Sequence, residues 1–214
     1  GHMGYMGAAP ALYKKLAYDP VKDFDAVFRF PDTPLVLMVR NDHPAKTIKD
    51  LVEHSKKNPE QVNISNAGVG SSSHLIAALF ANAAGIKVTQ VAYKGAGPAL
   101  VDVIGGQVDG MFDQTNTALP QIQQKKVKAL AVTSKVRLPQ LKDVPTLSET
   151  VIPGFEASTW YGIYAPKGTP KAMLDKVQNA YLHVMKDKDY TGKMAAQAIQ
   201  MLPEKDYLGA SLAQ

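Results

Sequence analysis

Three stretches of this chain combine residues suited to holding a small anion. Residues 67–74 (AGVGSSSH) put two glycines, three consecutive hydroxyls and a histidine into one loop. Gly68 and Gly70 let the backbone turn sharply and come close to a ligand. One serine suffices to cap a following helix, so Ser71, Ser72 and Ser73 offer more hydroxyls than a cap needs. His74 is either an ordinary histidine at a helix start or a donor to a carboxylate. Residues 93–98 (YKGAGP) form either a tight strand-to-helix turn or a second anion loop. Lys94 would ordinarily be solvated there, and the backbone amides of residues 95–97 are the better ligands. In the third stretch, residues 113–116 (DQTN), Asp113 can fix a ligand hydroxyl or ammonium, orient neighbouring groups, or cap the next turn.

Other chemistries lack their residues. The serines do not sit in the Gly-x-Ser-x-Gly elbow of a hydrolase. The first loop lacks the Gly-Lys-Ser/Thr ending of a nucleotide-binding loop, and no Rossmann glycine fingerprint occurs. His43, His54, His74 and His183 have no metal-ligand spacing. The carboxylates are scattered, and the absence of cysteine removes disulfides, thiolate zinc sites and thiol nucleophiles. Neither catalytic residues, nor a metal, nor a cofactor is expected. Gly1, His2 and Met3 read as a protease and cloning remnant, which hides any secretory signal.

An anion loop needs a rigid frame, and the hydrophobic pattern supplies one. Residues 35–40 (LVLMVR) make an apolar run of strand length. Thr47 then caps a helix with Ile48, Leu51, Val52 and Ser55 on one face. Strands are expected at 62–65, 88–93, 108–112 and 127–133. Between them, helices place Leu75, Ile76, Leu79, Phe80 and Ala83 on one buried face, and Leu100, Val101 and Ile104 on another. Pro98 is read as the first helical residue of its helix, residues 113–117 as a polar loop, and 118–124 as a short helix. This alternation predicts a parallel α/β lobe. In such sheets ligands bind beyond the carboxyl ends of the strands, where helix N-termini expose unpaired amides. All three loops fall there.

Residues 138–155 read as an irregular return path and 160–166 as a strand. Thr169 and Pro170 open a long helix with Leu174, Val177, Tyr181 and Val184 on one face. Residues 208–214 resemble the start of another helix. The 214 residues include 45% hydrophobic residues, enough for a sizeable core, and no apolar run long enough to span a membrane. The formal charge of +5 is compatible with simple solubility or with attraction of an anion. Nucleic acid is not an expected partner, because the longest basic runs are pairs and lack clustered aromatics.

Several of these stretches, taken in order, resemble the Bug family, the receptors of tripartite tricarboxylate transporters. They include residues 10–16 (PALYKKL), 18–24 (YDPVKDF), 67–74, 92–99 (AYKGAGPA), 105–109 (GGQVD), 129–134 (ALAVTS), 143–146 (DVPT), 153–155 (PGF), 160–162 (WYG) and 165–170 (APKGTP). The resemblance implies a type II periplasmic-binding fold, with two α/β lobes that close on a carboxylate or amino acid. It implies delivery to a membrane permease or reporting to a sensor kinase, and a periplasmic location. Residues 32–156 would form a complete doubly wound second lobe, with 4–31 and 157–214 belonging to lobe one. The candidate ligand-binding residues are Gly70, Ser71, Ser72, His74, Lys94, Gly95, Ala96, Asp113, Asn116 and Trp160.

Family chains open with a strand, a ligand loop and a helix that have no counterpart here, and they continue past residue 214. An incomplete lobe one is therefore expected, with weakened ligand binding. Exposed faces at Leu12, Leu16, Trp160 and Leu174 would favour a homodimer. Tyr5 and Met6 stand where the family usually has small polar residues. The alternative from another class is the ligand-sensing domain of a cytoplasmic regulator, which shares the bilobal architecture.

Overall fold

The computed structural model describes residues 1–212. The chain divides into two compact units, one made of Gly1–Thr33 with the residues from Thr159 on, the other of Pro34–Ser158.

The second unit is built on a sheet whose strands, in spatial order, are β4 (Thr89–Ala92), β3 (Asn63–Asn66), β5 (Gly110–Gln114), β2 (Thr33–Arg40) and β6 (Val127–Val132). The short β7 (Ser158–Thr159) also pairs with β2. β3 runs parallel to both β4 and β5. β2 is antiparallel to β5 and to β6, so β6 points the same way as β5. Residues 63–132 thus supply mutually parallel strands, with one reversed strand inserted among them. The reversal could not be read from β2's composition, which is apolar whichever way the strand runs. β2 is buried along almost its whole length, as expected of a strand covered on both faces.

Helices α2 (Ile48–Lys57), α3 (Ser72–Ala84), α4 (Ala96–Ile104) and α5 (Thr115–Gln123) join these strands, and the short α6 (Leu147–Thr150) follows β6. Thr47 and Asp50 close a reciprocal capping box at α2, whose buried residues are Ile48, Leu51, Val52 and Ser55. Gly85 ends α3 in the left-handed conformation. The core gathers Leu35, Leu37, Ile48, Leu51, Ile64, Ile76, Phe80, Phe112, Leu130 and Leu147. The rings of Phe80 and Phe112 meet edge to face at 5.4 Å.

Two helix faces differ from the pattern-based reading. In α3 the buried side is Ser72, Ser73, Ile76, Ala77 and Phe80, while Leu79 is exposed. The serines turn inward because the Ser73 hydroxyl is needed by the Ala67 amide. In α4 the buried residues are Ala99 and Val103, and Val101 and Ile104 face solvent. Pro98 is the third residue of α4, still within the turn whose amides lack helical acceptors. β5 continues through Asp113 and Gln114, and α5 begins at Thr115. The expected polar loop is therefore a direct strand-to-helix junction. Pro120 lies inside α5, which removes one donor from the ladder.

In the first unit, β1 (Phe24–Arg29) pairs antiparallel with β8 (Gly162–Pro166). α1 (Ala9–Leu12), after a single wide turn at Met3–Ala8, precedes them; α7 (Lys171–Met185) and α8 (Lys188–Ala196) follow. Phe28 stacks on Tyr181 and Tyr207, with ring centroids 5.2 and 5.5 Å away. The inward side of α7 runs through Tyr181, Leu182 and Met185, whereas Val177 and Val184 are exposed. Glu204–Tyr207 and Gly209–Leu212 are short 3-10 turns. The last two residues of the expected terminal helix lie outside the described residues.

Gly110 sits opposite Val39 in the β5–β2 register. A Cβ there would collide with the Met38 carbonyl oxygen and lie 2.9 Å from the Val39 side chain. Backbone cannot give way as a flexible side chain can. Gly110→Ala should lower stability by about 1–3 kcal/mol through overpacking, read as a reduced urea midpoint with an unchanged slope. An unaltered midpoint would show that this contact does not limit the spacing of the two strands.

Candidate functional site

The carboxyl ends of β3, β4 and β5 lie side by side, because these strands are parallel neighbours. The first two loops are tied together. Tyr93 N–H donates to the Asn66 carbonyl at 3.0 Å, and Gly95 N–H to the Ala67 carbonyl at 3.1 Å. Gly68 has φ +124°, and a Cβ there would sit 3.2 Å from the Tyr93 carbonyl. Gly95 has φ +113°. Side chains are disfavoured at both positions by the backbone conformation, and at Gly68 the close fit of the two loops is a second reason for glycine.

The hydroxyl cluster is largely occupied by its own loop. Ser71 Oγ accepts from the His74 amide at 3.3 Å, which caps α3. The Ser71 and Ser73 hydroxyls lie 3.0 Å apart, and Ser73 Oγ accepts from the Ala67 amide at 2.9 Å. Ser72 is buried and is the member of the cluster whose hydroxyl has no such role. The buried Gly70 donates its amide to Nδ1 of His74 at 3.3 Å. A neutral imidazole accepting at Nδ1 carries its proton on Nε2, which makes Nε2 the available donor.

The Gly95 amide is committed to Ala67, so the amides that can serve a ligand at the second loop are those of the following first turn, Ala96 included. α4 and α5 have no side-chain cap, their N-caps being Gly95 and Gln114. Uncapped first turns leave several amides without intrahelical acceptors and carry partial positive charge. Lys94 and Asn116 are exposed.

Asp113 is only 3% exposed. Its Oδ2 accepts from the Thr117 hydroxyl at 2.6 Å. Desolvation pushes its carboxyl up from the ordinary 3.8 to about 6, against the bonds from Thr117 and the Gln114 amide, which favour the charged form. Beside it, the Thr115 hydroxyl is fully buried without a partner among the described residues. Thr115 and Thr117 were not among the residues expected from sequence. The signal was the Asp113–Thr117 spacing of four residues across the start of a helix, which brings a hydroxyl back to the carboxylate.

Nine of the ten expected residues thus belong to the strand-to-helix junctions of the second unit. Trp160 belongs to the first unit, where it lines a cavity of about 570 Å³ with Met6, Phe24, Tyr164 and Leu212. Among the described residues, no three His, Asp or Glu side chains cluster as metal ligands.

An open α/β sheet with uncapped helix starts along one edge defines a small-ligand-binding lobe. The family model for the tripartite tricarboxylate transporter family receptor matches residues 2–206, and the chain belongs to that family. A UPF0065 protein from the TAR-I ttuE-ttuC' intergenic region of Agrobacterium vitis is 42% identical over 186 residues, covering 87% of this chain and 54% of the relative. BugT of Bordetella pertussis is 30% identical over 187 residues, covering 87% and 57%. The chain therefore spans about half the length of the relatives it matches. Among solved structures, the periplasmic binding protein BugD superposes with a TM-score of 0.90 at 38% identity, over 99% of this chain and 70% of that one. MatC from Rhodopseudomonas palustris with bound malate gives 0.91 at 34%, over 100% and 73%. R. palustris Rpa4515 with adipate gives 0.89 at 27%, over 96% and 70%.

The raised value at Asp113 has a consequence for stability. A carboxyl whose folded value exceeds its unfolded one stabilises the fold while both states are protonated. That contribution is lost as pH rises from about 4 through about 6. Asp113→Asn keeps an acceptor for Thr117 and removes the charge. At pH 7.5 it should be more stable than the parent by up to about 3 kcal/mol, and the gap should close at pH 4. Equal denaturation midpoints for the two proteins at pH 7.5 would contradict the assignment.

Proposed function

We propose that this chain is the ligand-binding part of an extracytoplasmic receptor that captures a small dicarboxylate. It hands the ligand to the membrane permease of a tripartite tricarboxylate transporter. The observation that carries this reading is the pair of uncapped helix starts, α4 and α5, on the sheet edge that also holds Ser72. Amides and a hydroxyl of this kind suit a carboxylate, which accepts up to four hydrogen bonds and is favoured by the helix dipoles. Related proteins solved with malate and adipate support the same ligand class.

Within this reading, Ser72, the Ala96 amide and Nε2 of His74 donate to a ligand carboxylate. Gly70, Ser71 and Gly95 hold the loops that present them, and the exposed Lys94 attracts the anion. Asp113 is acceptor-only when ionised, so it favours a ligand that brings a donor such as a hydroxyl. Asn116 completes the proposed set within this unit. Pro34–Ser158 corresponds to the second lobe of the receptor, and the location is periplasmic.

Calorimetric titration at pH 7.5 with malate, succinate, adipate and a neutral sugar tests the reading. Malate should bind best of the four and the sugar should not bind. Ser72→Ala should weaken malate binding about tenfold, the loss of roughly 1.4 kcal/mol expected for one hydrogen bond to a charged group. Binding of the sugar with no response to any of the acids would sink the proposal.

A further inference from the structure

His43 is buried in the turn that leads from β2 to α2. β2 runs against β5, so this turn lies at the edge of the sheet opposite the three loops. The ring does the work that an asparagine or aspartate does in other turns, where the side chain binds the backbone two residues on. Nδ1 accepts from the Ala45 amide at 3.1 Å. An imidazole accepting at Nδ1 is neutral and carries its proton on Nε2, which lies 3.9 Å from Asp109 Oδ1. Lys128 closes the turn from β6, its ammonium donating to the His43 and Ala45 carbonyls at 2.6 and 3.1 Å. The charged and titratable groups around the ring are Arg40 from β2, Asp42 from the turn itself, His54 from α2, Asp109 just before β5, and Lys128. The His54 ring meets that of His43 edge to face at 5.9 Å. Asp42 pairs with Arg40 at 2.7 Å. Asp109 is already engaged by Arg40 Nε at 3.2 Å and the Asn63 amide at 2.8 Å.

This arrangement suits a neutral ring alone. A proton added at Nδ1 turns the acceptor into a donor aimed at the Ala45 N–H, so the bond is lost and two donors confront each other. The new cation would stand beside Arg40, Lys128 and His54, with an Asp109 that is shared with other donors. Burial pushes the proton affinity of His43 below its ordinary 6.5; Asp109 opposes this, while Arg40, His54 and Lys128 reinforce it. A charged ring is better served by water, and reaching water means moving the turn. On either side the chain is held by bonds that do not involve the ring. Arg40 pairs with Val127 of β6, and its amide donates to the Asp109 carbonyl at 3.0 Å. Asn41 Nδ2 donates to the Lys125 carbonyl at 2.6 Å. Thr47 and Asp50 close the capping box of α2, and Asp50 also accepts from the Lys46 amide at 3.0 Å. Movement is therefore bounded to residues 42–45.

We infer that this turn is an acid-opened latch: protonation of His43 releases residues 42–45 from the sheet while β2 and α2 stay in place. Pro44 and Ala45 form one wall of a cavity of about 220 Å³, also lined by Asp50, Glu53, His54 and Lys57. Opening remakes this surface and frees the Lys128 ammonium. The folded value of the ring lies below the ordinary 6.5, so the closed turn is fully favoured above pH 6.5 and progressively disfavoured as pH falls below it. Asp113 has the opposite sign, since its contribution is lost as pH rises. Acidification thus loosens this turn without loosening the sheet that carries the ligand loops. The latch does not depend on what the ligand is.

Amide hydrogen exchange at pH 7.5 and pH 5.5, expressed as protection relative to the intrinsic rate at each pH, reads the latch in the unliganded protein. One proton taken up on opening shifts the equilibrium by up to about tenfold across that interval. Protection at Ala45 should fall by roughly that factor, and protection at Ile64 in β3 should not fall. His43→Asn keeps an acceptor for the Ala45 amide and removes the titrating ring, so its Ala45 protection should be the same at both pH values. An Ala45 in the parent that ignores pH, equal losses at Ala45 and Ile64, or an undiminished pH response in His43→Asn would overturn the inference. Should His43→Asn fail to fold, nitrogen NMR of the imidazole in the parent decides. The ring must carry its proton on Nε2 at pH 7.5 and titrate below 6.5, with Ala45 losing protection over the same range. A ring protonated on Nδ1 at pH 7.5, or one that titrates at or above 6.5, rejects the latch.

Discussion

A carboxylate taken out of water must find compensation or stay protonated, and Asp113 stands close to that balance. Its strand is packed between β3 and β2, which buries the side chain. Thr117 and the Gln114 amide favour the charged form, yet desolvation outweighs them. Natural cores seldom keep an acid so placed for stability, because a neutral residue of similar shape would serve the fold better. Such sites gather where function requires them. The remainder of the second unit can be understood as the frame that delivers this group, and the uncapped helix starts around it, to one edge.

The frame achieves this with strand order. Parallel β3, β4 and β5 send all three of their following loops to the same side. The reversed β2 contributes its beginning to that side, and β6 its end, which is how Leu35 and Thr133 meet. The close approach of β5 to β2 depends on Gly110, and the close approach of the first two loops on Gly68. Small residues at both places set distances that no side-chain adjustment could reproduce.

Much of this was legible in the sequence because its signals are local. Thr47 marked a helix start, and the alternation of apolar runs with Gly- and Ser-rich loops marked the strand–loop–helix units. Faces were less legible. Leu79 and Val101 look like core residues by type and are exposed, because Ser73 and Ala99 take the inward positions for reasons of hydrogen bonding and close packing. The direction of β2 left no trace, since a doubly covered strand reads the same either way. At the site, the residue types were visible but their commitments were not. Ser71 and Ser73 looked like free donors and are engaged with the loop's own backbone, while Thr115 and Thr117 read as residues of a polar loop and instead open α5.

Asp113 is a desolvated carboxyl at the edge proposed to meet the ligand. Its titration can be followed directly by carbon-detected NMR of the side-chain carboxyl, free and with saturating malate. A midpoint of about 6 is expected in the free protein, moving lower when a ligand hydroxyl donates to the carboxylate. A midpoint near the ordinary 3.8, unchanged by malate, would contradict it.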